Sequence, residues 1–392
     1  GEELGTIDLG DLITEENMVV TISHQGYIKR TPASTYRAQR RGGKGLKGAK
    51  TEEEDPISHL FAASTHDYLL FFTNRGKVYW QKVYDLPQLS RESRGRAIVN
   101  LLNLAEGEQI ADCRAVRDFS LPDHCLMMAT RRGLVKKTPL SQYSRPQRNG
   151  IIAIKLKEND ELVDIAITKP GDEIVLSTAR GMAIRFPESD ARPMGRNTSG
   201  VKGINLTSGD SLVGMLVAEP DATLLTVCQN GYGKRTFFGP NSTELAGGEA
   251  GLAEGEETVE EAAEEPVAET PEEAETEEGA EEAGGSSQRY RTQRRGGKGV
   301  RDIKTTERNG PVVSIVGVRD DDELLMMTAR GKIQRLVAGE ISVIGRNTQG
   351  VRIMSLDEGD ALAAAVGVPR EEAGDETPPE ATPPEPEPTN PA

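Results

Sequence analysis

A chain of 392 residues has room for two or three ordinary domains or one large repeat architecture, but only 36% of it is hydrophobic and 42 residues are Gly, so turns or coreless tracts must take up part of the length. The longest apolar stretches, LVGMLVA at Leu212 and YLLFF at Tyr68, are too short to cross a bilayer, and the opening GEELGTIDLG has no signal-like apolar core, so no membrane partner is expected and a cytoplasmic protein is. The formal charge of −16 conceals two opposite regions: 17 Glu without a Lys or Arg between Glu244 and Ser287, 7 acids with one Arg from Arg370 to Ala392, and a remainder of 39 acids and 46 bases, net +7. A basic body with two acidic appendages has the electrostatic footprint of a polyanion binder.

Taken in chain order, six apolar runs each close on a glycine: VVTISHQG, LLFFTNRG, LMMATRRG, IVLSTARG, LLTVCQNG and LLMMTARG, ending at Gly26, Gly76, Gly133, Gly181, Gly231 and Gly331. A second strand-like run follows each one (YIKRT, KVYWQ, LVKKT, MAIRF, YGKRT, KIQRL), so each repeat opens with a β-hairpin whose turn needs a positive-φ residue. A second glycine lies 19 residues on at Gly45, Gly95, Gly200 and Gly350 and 17 on at Gly150, but 68 on at Gly299, where the acidic tract is inserted. Repeats of about 50 residues built only of short strands match a propeller blade of four strands. The expected fold is all-β, a six-bladed β-propeller or β-pinwheel within residues 1–369, with blades near 17–65, 66–119, 120–170, 171–220, 221–319 and 320–368. The stretch GTIDLGDLI is expected to supply the strand that ties the last blade to the first. The tract 244–287 and the tail 370–392, rich in Glu and Pro and nearly free of large apolar groups, are expected to be disordered.

Cys113, Cys125 and Cys228 are odd in number and set in or beside apolar runs, and are expected to be buried and inert. His24, His59, His66 and His124 show no metal-ligand spacing, so neither a metal nor a cofactor is expected in this chain. The residues that stand out instead are two copies of QRRGGKG, Gln39–Arg40–Arg41–Gly42–Gly43–Lys44–Gly45 and Gln293–Arg294–Arg295–Gly296–Gly297–Lys298–Gly299, each in the loop before the second glycine. Four residues before that glycine stands Arg41, Arg91, Arg196, Arg295 or Arg346; the remaining repeat has Pro146 there, flanked by Arg145 and Arg148. With Arg94 and Lys202 these residues form a basic belt on one rim. Adjacent glycines let main-chain N–H groups approach a phosphate, Arg offers a planar fork to two of its oxygens, and Lys adds a mobile point charge. None of these contacts reads a base, so duplex DNA is expected to bind by its backbone with little sequence preference. The heptapeptide lacks the Ser or Thr and the G-x(4)-G-K spacing of a nucleotide-binding loop.

The heptapeptide after a hairpin run, the six repeats, and the GRNTxGV pattern at Gly195 to Val201 and Gly345 to Val351 closely resemble the C-terminal domain of the bacterial DNA gyrase A protein. The resemblance implies a pinwheel that wraps DNA around its perimeter, so that strand passage elsewhere in the enzyme introduces negative supercoils. It implies partners in the N-terminal breakage-reunion core of gyrase A and in the gyrase B protein, a bacterial, nucleoid-associated location, and a monomeric, non-catalytic domain. It also implies that the box at Gln39 to Gly45 is the one required for wrapping. Two features depart from the family's usual pattern, the identical second box and the acidic tract just upstream of it. A tethered polyanion there is expected either to weaken wrapping over repeat five or to act as an inert linker. The alternatives are a topoisomerase IV-type propeller, which the two strict boxes disfavour, and a propeller scaffold for an acidic protein.

Overall fold

The computed structural model describes residues 12–36, 46–47, 55–241 and 288–368. The first heptapeptide, most of GTIDLGDLI, the acidic tract and the acidic tail lie outside them. Repeat one contributes β1 (Asn17–Ser23), β2 (Tyr27–Pro32), β3 (Leu46–Lys47) and β4 (Ile57–Ser64), and repeat two β5 (Tyr68–Thr73), β6 (Lys77–Lys82), β7 (Arg96–Ala97) and β8 (Ile110–Val116). Repeat three supplies β9 (Cys125–Thr130), β10 (Leu134–Pro139), β11 (Ile151–Ile152) and β12 (Leu162–Thr168); repeat four, β13 (Glu173–Thr178), β14 (Met182–Pro187), β15 (Val201–Lys202) and β16 (Leu212–Ala218). Repeat five holds β17 (Thr223–Cys228), β18 (Tyr232–Phe237), β19 (Val300–Arg301) and β20 (Val312–Val318), and repeat six β21 (Glu323–Thr328), β22 (Lys332–Val337), β23 (Val351–Arg352) and β24 (Leu362–Gly367).

The strands form six antiparallel sheets of four, which makes a six-bladed propeller, but no sheet is made from one repeat alone. The two-residue third strand of each repeat pairs with the hairpin of the repeat before it, giving the orders β4-β1-β2-β7, β11-β6-β5-β8 and β12-β9-β10-β15, and then β16-β13-β14-β19, β20-β17-β18-β23 and β24-β21-β22-β3. This cyclic exchange also closes the ring. The closing strand among the described residues is β3, in register with Lys332 and Ile333 of repeat six, while most of the N-terminal stretch GTIDLGDLI, expected to tie the last blade to the first, lies outside them. Residues 13–16 instead lie along the turn after β4, where Thr65 Oγ1 donates to the Thr14 carbonyl at 2.9 Å.

The fourth strands β4, β8, β12, β16, β20 and β24 touch one another in a closed cycle at the centre, which leaves the short third strands and the loops before them at the perimeter. Each sheet buries both faces. Leu69 and Phe71 of β5 pack against Val20 and Ile28 of the first sheet, while Leu70 and Phe72 pack the other way against Leu126 and Met128. A strand buried on both sides has no polar alternation, which is why the hairpins read as continuous apolar runs. The three cysteines are buried among these layers as free thiols, and burial pushes Cys228 up to about 12, so it carries no thiolate at neutral pH. No helix among the described residues is long and apolar enough to cross a membrane.

Candidate nucleic-acid interface

In the five repeats where it is described, the second glycine is the joint between neighbouring blades. Gly299 has φ +81°, and a Cβ there would stand 2.4 Å from the Ala183 carbonyl oxygen of the preceding hairpin. At Gly95, Gly150, Gly200 and Gly350 a Cβ would meet the carbonyl oxygens of Ile28, Val78, Val135 and Gly233 at 2.6, 2.9, 2.3 and 2.8 Å. Only a residue without a side chain lets the chain pass this close and then pair as an outer strand. The candidate DNA loops are therefore held at the blade joints, on the outside of the ring.

The second heptapeptide is fixed by its backbone. Gln293 N donates to the Arg185 carbonyl at 2.6 Å and Gly296 N to the Gly203 carbonyl at 2.8 Å, while the Gly297 carbonyl accepts from Asn205 N at 2.9 Å. Arg295 is used up in the same work, with Nε on the Asp190 carbonyl at 2.9 Å and Nη1 on the Lys202 carbonyl at 2.6 Å. Arg294 and Lys298 are exposed, and neither has a carboxylate partner among the described residues. Gly296, at φ +88°, and Gly297 lie between them, half-buried, with no protein atom closer than 3.5 Å to an added Cβ, so neither position is crowded.

What Arg295 does recurs around the rim. Arg196 Nη1 donates to the Ile152 carbonyl at 2.8 Å and Arg346 Nη1 to the Arg301 carbonyl at 2.7 Å, in each case the second residue of the outer strand from the preceding repeat. These register arginines are thus clasps between successive loops. Arg91 stacks on Tyr36 at 4.3 Å, and Arg94 on Tyr27 at 3.9 Å, with Asp55 3.8 Å away. Arg145 and Arg148 are exposed beside Tyr143, and Lys202 is exposed on β15. The residues Gln39, Arg40, Arg41, Gly42, Gly43, Lys44 and Gly45 lie outside the described residues.

The family model for the DNA gyrase C-terminal domain, a β-propeller, matches residues 17–64, 67–117, 126–169, 172–219, 288–319 and 322–369, one segment in each repeat. The chain belongs to this family. It is 42% identical over 369 residues to the DNA gyrase A protein of Staphylococcus aureus strain NCTC 8325, and 41% identical over 372 residues to that of strain MRSA252; each alignment covers 94% of the chain. The chain spans about a third of those relatives, 36% of their length. A solved gyrase A C-terminal domain superposes with a TM-score of 0.69 at 27% identity, over 90% of this chain and all of that one. The C-terminal domain of a DNA topoisomerase IV, at 23% identity and a TM-score of 0.58 over 91% of this chain and 94% of that one, shares the fold.

Within this gyrase-type propeller, part of the basic character is internal. The second hairpin strands carry Lys29, Lys136, Lys137, Arg185, Lys234 and Arg235, all buried. Lys29 Nζ crosses to the next repeat and donates to the carbonyls of Ser90, Arg91 and Ser93 at 2.9, 2.7 and 2.5 Å, holding the loop of Arg91 and Arg94 from below. Lys136 donates likewise to the carbonyls of Ala153 in its own repeat and Arg196 in the next, and burial pulls its ammonium down to about 7. Arg185 pairs with Glu173 at 2.6 Å, Lys137 with Glu188 at 2.9 Å and Lys234 with Asp302 at 3.2 Å. Sequence reading counts all of these as surface charge. The available signal was their place: K or R at the third or fourth residue after the hairpin glycine in a strand that otherwise reads as core. Among the described residues six acids, Asp55, Glu108, Asp160, Glu173, Glu188 and Asp302, are buried as well, matching the buried bases in number.

Proposed function

We propose that this propeller binds duplex DNA along its outer rim through the phosphate backbone, with little sequence preference, and bends it into a positive wrap. The observation that carries the reading is the pair of exposed cations, Arg294 and Lys298, flanking the uncrowded Gly296–Gly297 turn on a loop clamped at a blade joint. Equivalent loops recur at the other joints, so a duplex following the perimeter would meet a basic loop at each blade. Bending costs a few kcal/mol by elastic estimates, and the sum of phosphate contacts must exceed it. In this reading the box at Gln39 to Gly45 is the principal contact, and the box at Gln293 to Gly299 is a second one adjoining the acidic tract.

The wider reading is that the chain serves a gyrase holoenzyme, joined to the breakage-reunion core of gyrase A and working with the gyrase B protein. The wrap would present a crossing whose inversion by strand passage gives negative supercoils. Breakage chemistry and ATP hydrolysis belong to those other parts, no cofactor is required here, and the location is the cytoplasm, at the nucleoid. Binding of two unrelated duplexes of the same length, titrated against salt, tests the reading. Similar affinities are expected for both, with log K falling by about 0.9 per log unit of salt for each phosphate neutralised. Affinity that salt leaves unchanged, or that appears only for an acidic protein, would overturn it in favour of an interaction scaffold.

A further inference from the structure

Outside the register belt, one group of side chains brings like charges together without compensation. Tyr232 opens β18 directly after the hairpin Gly231. Its hydroxyl oxygen accepts from Arg308 Nε and from Arg352 Nη2, each at 3.2 Å. The two guanidinium carbons lie 5.3 and 4.9 Å from the centre of its ring. The ring is buried, at 7% exposure, whereas both arginines are exposed. Neither arginine has a carboxylate partner among the described residues. Two cations converging on one neutral oxygen repel each other unless an anion joins them.

The rest of the fold makes this convergence specific. Tyr27 occupies the same strand position in repeat one, but there one arginine among the described residues, Arg94, covers the ring and Asp55 stands nearby. At Tyr232 the second arginine comes from the outer strand β23, in direct register with Tyr232, and Arg308 from the turn before β20. That turn is tied to the neighbouring rim loop, with Asn309 Nδ2 donating to the Gln349 carbonyl at 3.0 Å. Because the phenol oxygen accepts twice, its own proton remains to donate outward, beside two planar forks suited to phosphate oxygens. The hydrogen bond from Arg308 and the charge of Arg352 hold the phenol below its ordinary range, a sign of the positive field at that oxygen.

We propose that Arg308, Arg352 and the Tyr232 hydroxyl form one seat for a single phosphodiester of bound DNA, next along the rim from the box at Gln293 to Gly299. The inference rests on the DNA reading above. Arg308 and Arg352 act on one phosphate, as a pair, so their contributions are not independent. Arg308→Gln, Arg352→Gln and the double variant are compared with the unaltered chain by duplex binding across a salt series, with thermal unfolding as a check on folding. The double variant is expected to lose about 0.9 from the salt slope, one phosphate, and neither single variant to lose more than that. The thermal midpoint is expected not to fall, since both arginines are exposed. A loss near 1.8 in the double variant would mean two separate phosphate contacts and would overturn the shared seat. So would an unchanged slope and affinity in the double variant while the unaltered chain binds. An unaltered chain without salt-dependent duplex affinity overturns the underlying DNA reading instead, and the seat with it.

Discussion

Arg294 and Arg295 are adjacent in sequence and opposite in role. Arg295 spends two guanidinium nitrogens on the carbonyls of Asp190 and Lys202, while Arg294 and, three residues past Arg295, Lys298 project from the clamped loop. Replacing Arg294 or Lys298 with Gln is therefore expected to lower the DNA salt slope by up to about 0.9 each without loss of thermal stability. Arg295→Gln is expected to lower stability by about 1 to 3 kcal/mol, because it leaves loop carbonyls without their charged donor. Denaturant titration and salt-series binding on the same three variants check this. Lys136 offers a pH test. Its proton is held less tightly in the folded chain, about 7 against an ordinary 10.5, so between those values the unfolded chain binds more protons and stability contributed by this group rises with pH. That contribution is gone once pH has fallen to about 7. Lys136→Met is expected to lack that rise; unfolding curves for the two proteins that stay parallel across the window would contradict it.

At the scale of elements, the hairpins were legible and the outer strands were not. Each hairpin glycine from Gly26 to Gly331 has the positive φ that the turn requires, and the apolar runs before it are long enough to announce a strand. The outer strands such as Val300–Arg301 have two residues, too few for any period, and their partner lies in the preceding repeat. The offset of the second glycine, 19 residues in four of the repeats, was the visible trace of this exchange, because the close approach at the joint fixes where the glycine must fall. Gly299→Ala is expected to cost about 1 to 3 kcal/mol, since it combines a positive φ with a Cβ 2.4 Å from the Ala183 carbonyl oxygen. Gly297→Ala puts a Cβ no nearer than 3.5 Å to protein, so the fold is expected to tolerate it while DNA affinity falls, as the backbone is screened from the phosphate. Comparing thermal midpoints with duplex affinities separates the joint from the contact surface. The buried Lys29 and Lys136 were invisible for another reason: a cation in a strand looks like solvated charge until the carbonyls it serves, most of which belong to the next repeat, are in place.

At the scale of the molecule, the five described joints recur around the ring and set their loops along its perimeter. Arg196, Arg295 and Arg346 each fasten their loop to the outer strand of the preceding repeat, which interlocks successive joints. The repeat count, the all-β class and the split between basic body and acidic appendages could all be read from the sequence, because they depend on spacing and composition alone. Closure by Leu46–Lys47 could not, since it pairs residues almost 290 positions apart. The acidic tract at 244–287 adjoins the second box in sequence, and its 17 Glu give a further test. Its deletion is expected to raise duplex affinity at low salt and to steepen the salt slope; unchanged affinity and slope would mark it as a linker. The wrap itself is tested most directly by ligating nicked circular DNA in the presence of the chain and then removing the protein. The closed circles are expected to carry positive supercoils in proportion to the protein bound, and an unchanged linking number at saturating protein would contradict the wrap.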